Sequence, residues 1–122
     1  MVQSFPESLF DAVVATTSSS PAYVYMFIEA MADGAVKLGL PRKVAIQAAA
    51  QAVLGSAKMV LCSEEHPAQL KDNVCSPAGT TIEAVAVLEK SGFRGIVMNA
   101  MDACAQRNRK FAQAYERRKN ER

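Results

Sequence analysis

The residues best suited to chemistry lie in the stretch 66–82, a loop-rich segment between two strongly helical parts of the chain. Small residues crowd its end, directly before a new helical pattern: Ser76, Gly79, Thr80 and Thr81. A small-residue loop that opens a helix leaves backbone N–H groups pointing outward at the positive end of the helix dipole, where a carboxylate or phosphate can bind. The same residues also fit an ordinary loop with a Ser or Thr N-cap, and both interpretations stay open on the local sequence alone.

Other kinds of site find little support in the sequence. The chain has one histidine, His66, and three cysteines without a C-x-x-C pair. We therefore predict no metal site and no disulfide framework, and a reducing cytoplasm is the simplest compartment. Neither a dinucleotide-binding glycine fingerprint nor a P-loop is present, so we predict no cofactor site in this chain alone.

The charge distribution sets limits on the partners. The net charge is +2 over 122 residues, which argues against a nucleic-acid partner for the molecule as a whole. Residues 107–122 form a basic tail with seven basic and two acidic residues. Such a tail either seeks nucleic acid or acidic lipid or, as we favour, is the solvated end of a helix. The apolar run 22–32 is too short to cross a bilayer and contains Glu29, so we predict no membrane association.

The elements that position the loop are helical. Apolar spacings of three and four residues recur, and no segment alternates as a strand does, which predicts an all-α fold of about five or six helices in one domain, 1–122. Ser20 and Pro21 favour a helix start, and Gly39 favours its end. Because residues 22–32 are apolar nearly all round, we expect a partner subunit to bury this helix.

Further helices are expected on both sides of the loop. We predict a short helix from Glu7 to Ala15 that the hydroxyl-rich residues 16–20 break, and another over Pro67–Val74. Gly92 should end the helix that follows the loop, and a long final helix should run from Phe93 to about Arg118.

The sequence resembles the C-terminal domain of pyrroline-5-carboxylate reductase, the last enzyme of proline synthesis. The resemblance covers about residues 7–112 and rests on many short motifs in one order. These are Pro21-Ala-Tyr-Val24, Phe27-Ile-Glu-Ala30, Gly39-Leu-Pro-Arg42, Val53-Leu-Gly55, Ala57-Lys-Met-Val60, His66-Pro67, Leu70-Lys-Asp72, Cys75-Ser-Pro77, Gly79-Thr-Thr-Ile82 and Gly92-Phe-Arg94.

The resemblance implies an interwoven helical dimer, and in that family dimers often assemble further into a ring. It also implies that NADPH or NADH is bound by an N-terminal Rossmann domain, which this chain does not contain. The loop would receive the carboxylate of the small-molecule substrate, pyrroline-5-carboxylate, through Ser76 and the backbone around Gly79 and Thr80. Thr81 would contact the ring nitrogen as the catalytic residue.

The chain departs from the family pattern at three positions. Ser18, Ser20 and Ala78 stand where the family usually has glycine, and Ala at a positive φ costs roughly 1 kcal/mol or more. Two functions follow from these observations. The chain is either the dimerisation and substrate-binding half of the reductase, inactive alone, or a standalone dimerisation module that has lost substrate binding.

Overall fold

The computed structural model describes residues 5–121, and these form helices and turns without a strand. A 3-10 turn, Glu7–Leu9, and a π-helical turn, Val14–Ser18, flank the first helix. The α-helices are α1 Phe10–Val13, α2 Ser20–Lys37, α3 Arg42–Cys62, α4 Pro67–Val74, α5 Thr80–Lys90 and α6 Phe93–Asn120. The all-α prediction is therefore confirmed. The chain divides into two compact units, residues 24–91 and residues 1–23 with 92–122, and each is described by itself.

In the unit 24–91, α2 and α3 meet through small side chains. The fully buried residues of this contact are Ala32, Ala45 and Ala49. Alanine leaves room for the neighbouring backbone, which is how two helices come close without a large side chain between them. Half-buried Ile28 and Val36 pack against the same three methyl groups.

The turn between α2 and α3 has the geometry that Gly39 predicts. Gly39 has a φ of 101°, and its N–H donates to the carbonyl of Val36 at 2.9 Å. The N–H of Leu40 donates to the carbonyl of Ala35 at 3.0 Å. These two bonds form a Schellman motif, in which glycine accepts the left-handed conformation without steric cost.

Helix α4 has the bounds that the sequence predicts, Pro67–Val74. Its N-cap is His66, whose Nδ1 accepts a hydrogen bond from the N–H of Ala68 at 3.2 Å. Pro67 occupies the first helical position, where a missing N–H has no consequence. The one histidine of the chain therefore caps a helix.

In the other unit, α1 is held against α6 by a polar contact. The carboxylate of Asp11 accepts hydrogen bonds from Asn108 Nδ2 at 2.8 Å and from Arg109 Nε at 2.7 Å. The bond from Asn108 and then the bond from Arg109 lower the pKa of Asp11, because both favour the ionised carboxylate. The contact links the four-residue helix α1 to a part of α6 that is 97 residues away in sequence.

The segment between α1 and α2 corrects two predictions. Residues 16–18 do not break the helix, because the hydroxyl groups of Thr16 and Thr17 donate to the carbonyls four residues earlier, each at 2.7 Å. Ser20 is the first residue of α2 and not its N-cap, and its hydroxyl donates to the carbonyl of Thr16 at 2.6 Å. The hydroxyl groups thus bond backward along the chain, which carries the helical path through a π turn.

The apolar surface of the chain far exceeds its core. Among residues 5–121, only four apolar side chains are buried, and all are alanines: Ala15, Ala32, Ala45 and Ala49. Many large apolar side chains are exposed, among them Tyr25 and Met26 at 69% each and Ile96 at 63%. By length and composition, α3 also meets the requirements of a membrane-spanning helix, although the core helix of a globular protein meets the same test.

We predict that replacing Asp11 by Asn lowers the thermal stability at pH 7, because Asn cannot offer two acceptor oxygens to Asn108 and Arg109. The folded pKa of Asp11 is below its unfolded value, so its contribution to stability is present above about pH 3.9 and is lost as the pH falls through the folded pKa. Melting curves of both proteins from pH 7 to 3 should therefore converge. A constant difference in melting temperature would contradict this prediction.

Candidate functional site

Residues 76–79 form a tight turn directly before α5. The N–H of Gly79 donates to the carbonyl of Ser76 at 3.0 Å, which closes the turn. Pro77 fixes its own φ near −65°, and Ala78 has a φ of 57°. Proline followed by a residue with positive φ defines a type II turn. The turn thus requires at Ala78 a left-handed conformation that glycine adopts more readily.

The N-terminus of α5 lies immediately beyond this turn. Gly79 is its N-cap residue, and no side chain caps the first backbone N–H groups. Thr80 and Thr81 are the first two residues of the helix. The interpretation as a loop with a Ser or Thr N-cap is therefore wrong, because the cap position holds a glycine without a hydroxyl. The uncapped N–H groups are left for water or an anion.

The hydroxyl of Ser76 lies beside the same helix end. A Cβ at Gly79 would come within 2.3 Å of Ser76 Oγ and 3.1 Å of the Ser76 carbonyl oxygen. Glycine at this position therefore lets the serine side chain lie against the backbone. Within residues 5–121, the hydroxyl groups of Ser76, Thr80 and Thr81 make no hydrogen bond, so each can serve a ligand.

Thus the four predicted site residues lie along six residues of chain around one helix N-terminus. Thr80 is exposed, whereas Gly79 and Thr81 are half-buried. The arrangement offers backbone donors, hydroxyl donors and the positive end of a helix dipole, and it contains no acid or base of its own. Such an arrangement is suited to binding an anionic group and to orienting what is attached to it.

Ser18 and Ser20 are the other two positions where the family usually has glycine, and unlike Ala78 they do not have a positive φ. Ser18 ends the π turn and Ser20 begins α2, both in the unit formed by residues 1–23 and 92–122. Among the described residues, Ala78 is the one non-glycine with a positive φ. The backbone strain that glycine relieves is therefore confined to Ala78.

The unit formed by residues 1–23 and 92–122 contains a polar cluster that was not predicted from the sequence. Cys104 Sγ donates to Ser19 Oγ at 3.2 Å, and a hydrogen bond with the same thiol raises the pKa of Tyr23. Ser19 and Cys104 are 85 residues apart in sequence, and no spacing signals such a pair. The part of the chain that the structure describes brings together no group of three metal-ligating side chains.

Comparison with known proteins identifies the family. Residues 7–111 match the family described as pyrroline-5-carboxylate reductase dimerisation, a range that includes the turn and all of α5. The chain belongs to this family. It is 58% identical over 108 residues to pyrroline-5-carboxylate reductase of Escherichia coli K12, and 56% identical over 105 residues to human pyrroline-5-carboxylate reductase 2.

Solved structures of the family have the same fold. The pyrroline carboxylate reductase of Plasmodium falciparum, solved with NADP bound, superposes with a TM-score of 0.84 and 38% identity. The match covers 88% of this chain and 41% of that one. Against the curated relatives, the chain covers 40% of the Escherichia coli protein and 33% of the human one, while 88% and 86% of this chain are matched.

We predict that Ala78→Gly raises the free energy of unfolding by about 1 kcal/mol, because glycine has no Cβ to clash in the left-handed region. Chemical denaturation at one fixed protein concentration measures the change. Ala84→Gly, in the exposed middle of α5, is the matched control and should lower stability by about 1 kcal/mol. Equal effects of the two substitutions would contradict the turn geometry described here.

Proposed function

We propose that this chain is the dimerisation and substrate-binding part of a cytoplasmic pyrroline-5-carboxylate reductase. The uncapped N-terminus of α5, with the hydroxyl of Ser76 beside it, is the observation that carries the proposal. The substrate of such an enzyme is a five-membered cyclic imine with one carboxylate. The site offers an anion-binding end for the carboxylate and a further hydroxyl, that of Thr81, for the ring.

The carboxylate binds in this proposal to Ser76 and to the backbone N–H groups that begin at Thr80, beside Gly79, whose own N–H donates to the Ser76 carbonyl. Hydrogen bonds to a charged acceptor are about twice as strong as those between neutral groups. The helix dipole of α5 adds to this attraction because its positive end faces the anion. When its carboxylate is anchored there, the ring has a defined orientation relative to the hydroxyl of Thr81, a half-buried residue.

Thr81 is then the residue that contacts the reacting atoms. Reduction adds a hydride to the carbon of the C=N bond, and the ring nitrogen takes up a proton to give the secondary amine of proline. A hydroxyl that donates a hydrogen bond to the nitrogen favours the charge that develops there. This role is one of orientation and electrostatics, because a threonine hydroxyl is too weak an acid to supply the proton itself.

The reductant of the proposed reaction is NADPH or NADH, which supplies the hydride. The described residues fold into helices and turns, and the sequence has no glycine fingerprint for a dinucleotide. The cofactor therefore requires a separate nucleotide-binding domain. By itself, this chain binds and orients the substrate and does not reduce it.

We propose that two copies of the chain associate through their exposed apolar helices. Four buried alanines supply too little apolar burial to stabilise a monomer of this size. Exposed apolar side chains of α2 include Phe27, Ala30 and Met31, and Phe27 and Met31 line one groove with Val53 and Val60 of α3. These small and adaptable side chains suit a close approach of a partner helix.

We predict that Ala30→Glu weakens the homodimer by at least about 100-fold, because it places an unpaired charge in an apolar interface. Gln51→Glu on the polar face of α3 is the control and should leave association within about 3-fold of the original protein. Sedimentation equilibrium measures both and also distinguishes a dimer from the larger ring that the family resemblance implies. A folded wild-type monomer at micromolar concentration would falsify the proposal.

We further predict that proline and tetrahydrofuran-2-carboxylate raise the melting temperature of the chain in a saturable way, whereas prolinamide does not. Occupancy of a native site stabilises by RT ln(1 + [L]/Kd), and the amide lacks the charge that the helix N-terminus attracts. Ser76→Ala and Thr81→Val should each weaken binding about 10-fold or more.

The control for these variants is Ser91→Ala, a hydroxyl at the other end of α5, which should bind the carboxylates as the original protein does. If the dimer forms and neither carboxylate shifts the melting temperature, the chain is a dimerisation module without a substrate site. A shift that prolinamide reproduces would show that the carboxylate is not what the site recognises.

A further inference from the structure

The structure changes the interpretation of the basic tail, because the last turns of α6 are not polar all round. Every residue from 110 to 121 is exposed, so the rest of the described chain covers little of this part of the helix. Two of these residues are large aromatics, Phe111 at 60% and Tyr115 at 69% exposure. A merely solvated helix end needs neither of them, and Tyr115 lies beyond the family match, which ends at residue 111.

The two aromatics share one side of the helix with three cations. At 100° per residue, Phe111 and Tyr115 point about 40° apart. Arg118 lies about 20° from Phe111 in projection, and Lys119 lies about 40° from Tyr115. Arg107 completes the set, with its guanidinium 4.4 Å from the centre of the Phe111 ring. We call these five residues the cation-aromatic face of α6, and together they span about 120° of the helix.

The three cations of this face can pair with an external anion. None of them forms an ion pair within residues 5–121. Lys110 and Arg117 lie on the next arc, where Glu121 lines the same groove and offsets part of their charge. Outside residues 107–122 the chain has ten acidic and seven basic residues, so its attraction for a polyanion is confined to this helix end.

We propose that the cation-aromatic face binds single-stranded nucleic acid. The cations pair with phosphates, while unpaired bases stack on the rings of Phe111 and Tyr115. The guanidinium of Arg107 covers one side of the Phe111 ring and adds a cation–π contact to the stack. From residue 107 to residue 119 the helix rises about 18 Å, which gives room for a short run of nucleotides. This surface is separate from the loop 76–81, and the inference does not depend on the proposed function.

The arrangement of the face favours a strand over other anionic partners. A helix that lies on an acidic membrane separates a broad apolar face from its cations, whereas Arg118 and Lys119 stand beside the rings. A protein groove that takes up a helix contacts large apolar anchors over two or more turns, and residues 107–121 offer one pair, Phe111 and Tyr115. A single strand uses both features at once, because each nucleotide carries a charge and a flat base.

The test measures binding of the full chain to a fluorescent oligothymidylate of about 12 nucleotides, by fluorescence anisotropy at ~0.15 M salt. We expect a dissociation constant of about 1–100 µM, the range of binding without sequence specificity. An abasic strand of the same length carries the same phosphates without bases. It should bind about 10-fold more weakly, because it cannot stack on the aromatic rings.

Two double variants separate stacking from charge. Phe111→Leu with Tyr115→Leu keeps apolar, helix-forming side chains but removes the flat rings, so affinity for oligothymidylate should fall about 10-fold while the abasic strand binds as before. Arg118→Gln with Lys119→Gln should weaken binding of both strands. It should also reduce the slope of log affinity against log salt concentration by about 1.4, since each phosphate contact on a single strand contributes about 0.7.

The control for charge is Lys43→Gln with Lys90→Gln, which removes two exposed cations from α3 and α5. It changes the net charge by the same amount and should leave affinity within about 3-fold of the original. Circular dichroism checks that each variant is folded. If a double variant is not, the single variants Tyr115→Leu and Lys119→Gln take its place.

Several results would overturn this inference. One is the absence of binding to oligothymidylate at protein concentrations up to about 1 mM, well above the expected dissociation constant. Equal affinity for the two strands would show that the face senses charge alone, and an equal loss in the control variant would show that the helix end is not the binding surface. Tighter binding to phosphatidylserine vesicles, unchanged by the leucine variant, would assign the face to acidic lipid instead.

Discussion

The need to remove apolar helix faces from water dominates this structure. The helices are long, and many of their large side chains are exposed in the single chain, while the buried residues among 5–121 are alanines. Alanine side chains determine how closely α2 and α3 approach, but each contributes little apolar burial. A fold of this kind is stabilised when copies of it cover one another, which is consistent with the dimerisation family to which the chain belongs.

The candidate site depends on a much smaller piece of geometry. A proline, a residue with positive φ and a glycine N-cap follow one another between Ser76 and Thr80. Together they bring the chain into α5 without a side-chain cap, and they leave space for a hydroxyl where a Cβ would clash. The binding capacity proposed for the loop therefore comes from what is missing, a capping side chain and a β-carbon, as much as from the hydroxyl groups present.

Many of the helix boundaries could be predicted from the sequence, because the signals for them are local. Pro67 and Gly39 define helix boundaries through φ alone, and the bounds of α4 and the end of α2 follow from them. The hydroxyl-rich segment 16–20 was predicted wrongly, since serine and threonine bond either forward as caps or backward to a carbonyl, and spacing does not decide between the two.

Contacts between distant residues gave no signal, as with Asp11 and Asn108 or Ser19 and Cys104. The predicted site residues Ser76, Gly79, Thr80 and Thr81 could be grouped from the sequence because they lie within one short segment.

The left-handed residue at position 78 also bears on ligand affinity. A turn that costs about 1 kcal/mol to hold is one conformer in an equilibrium, and the ratio of that conformer to its alternatives is about 5-fold lower than for an unstrained turn. Apparent affinity scales with the populated fraction of the competent conformer, so a ligand that selects the turn loses affinity by up to the same factor. The methyl group of Ala78 thereby adjusts the concentration at which the proposed site would fill.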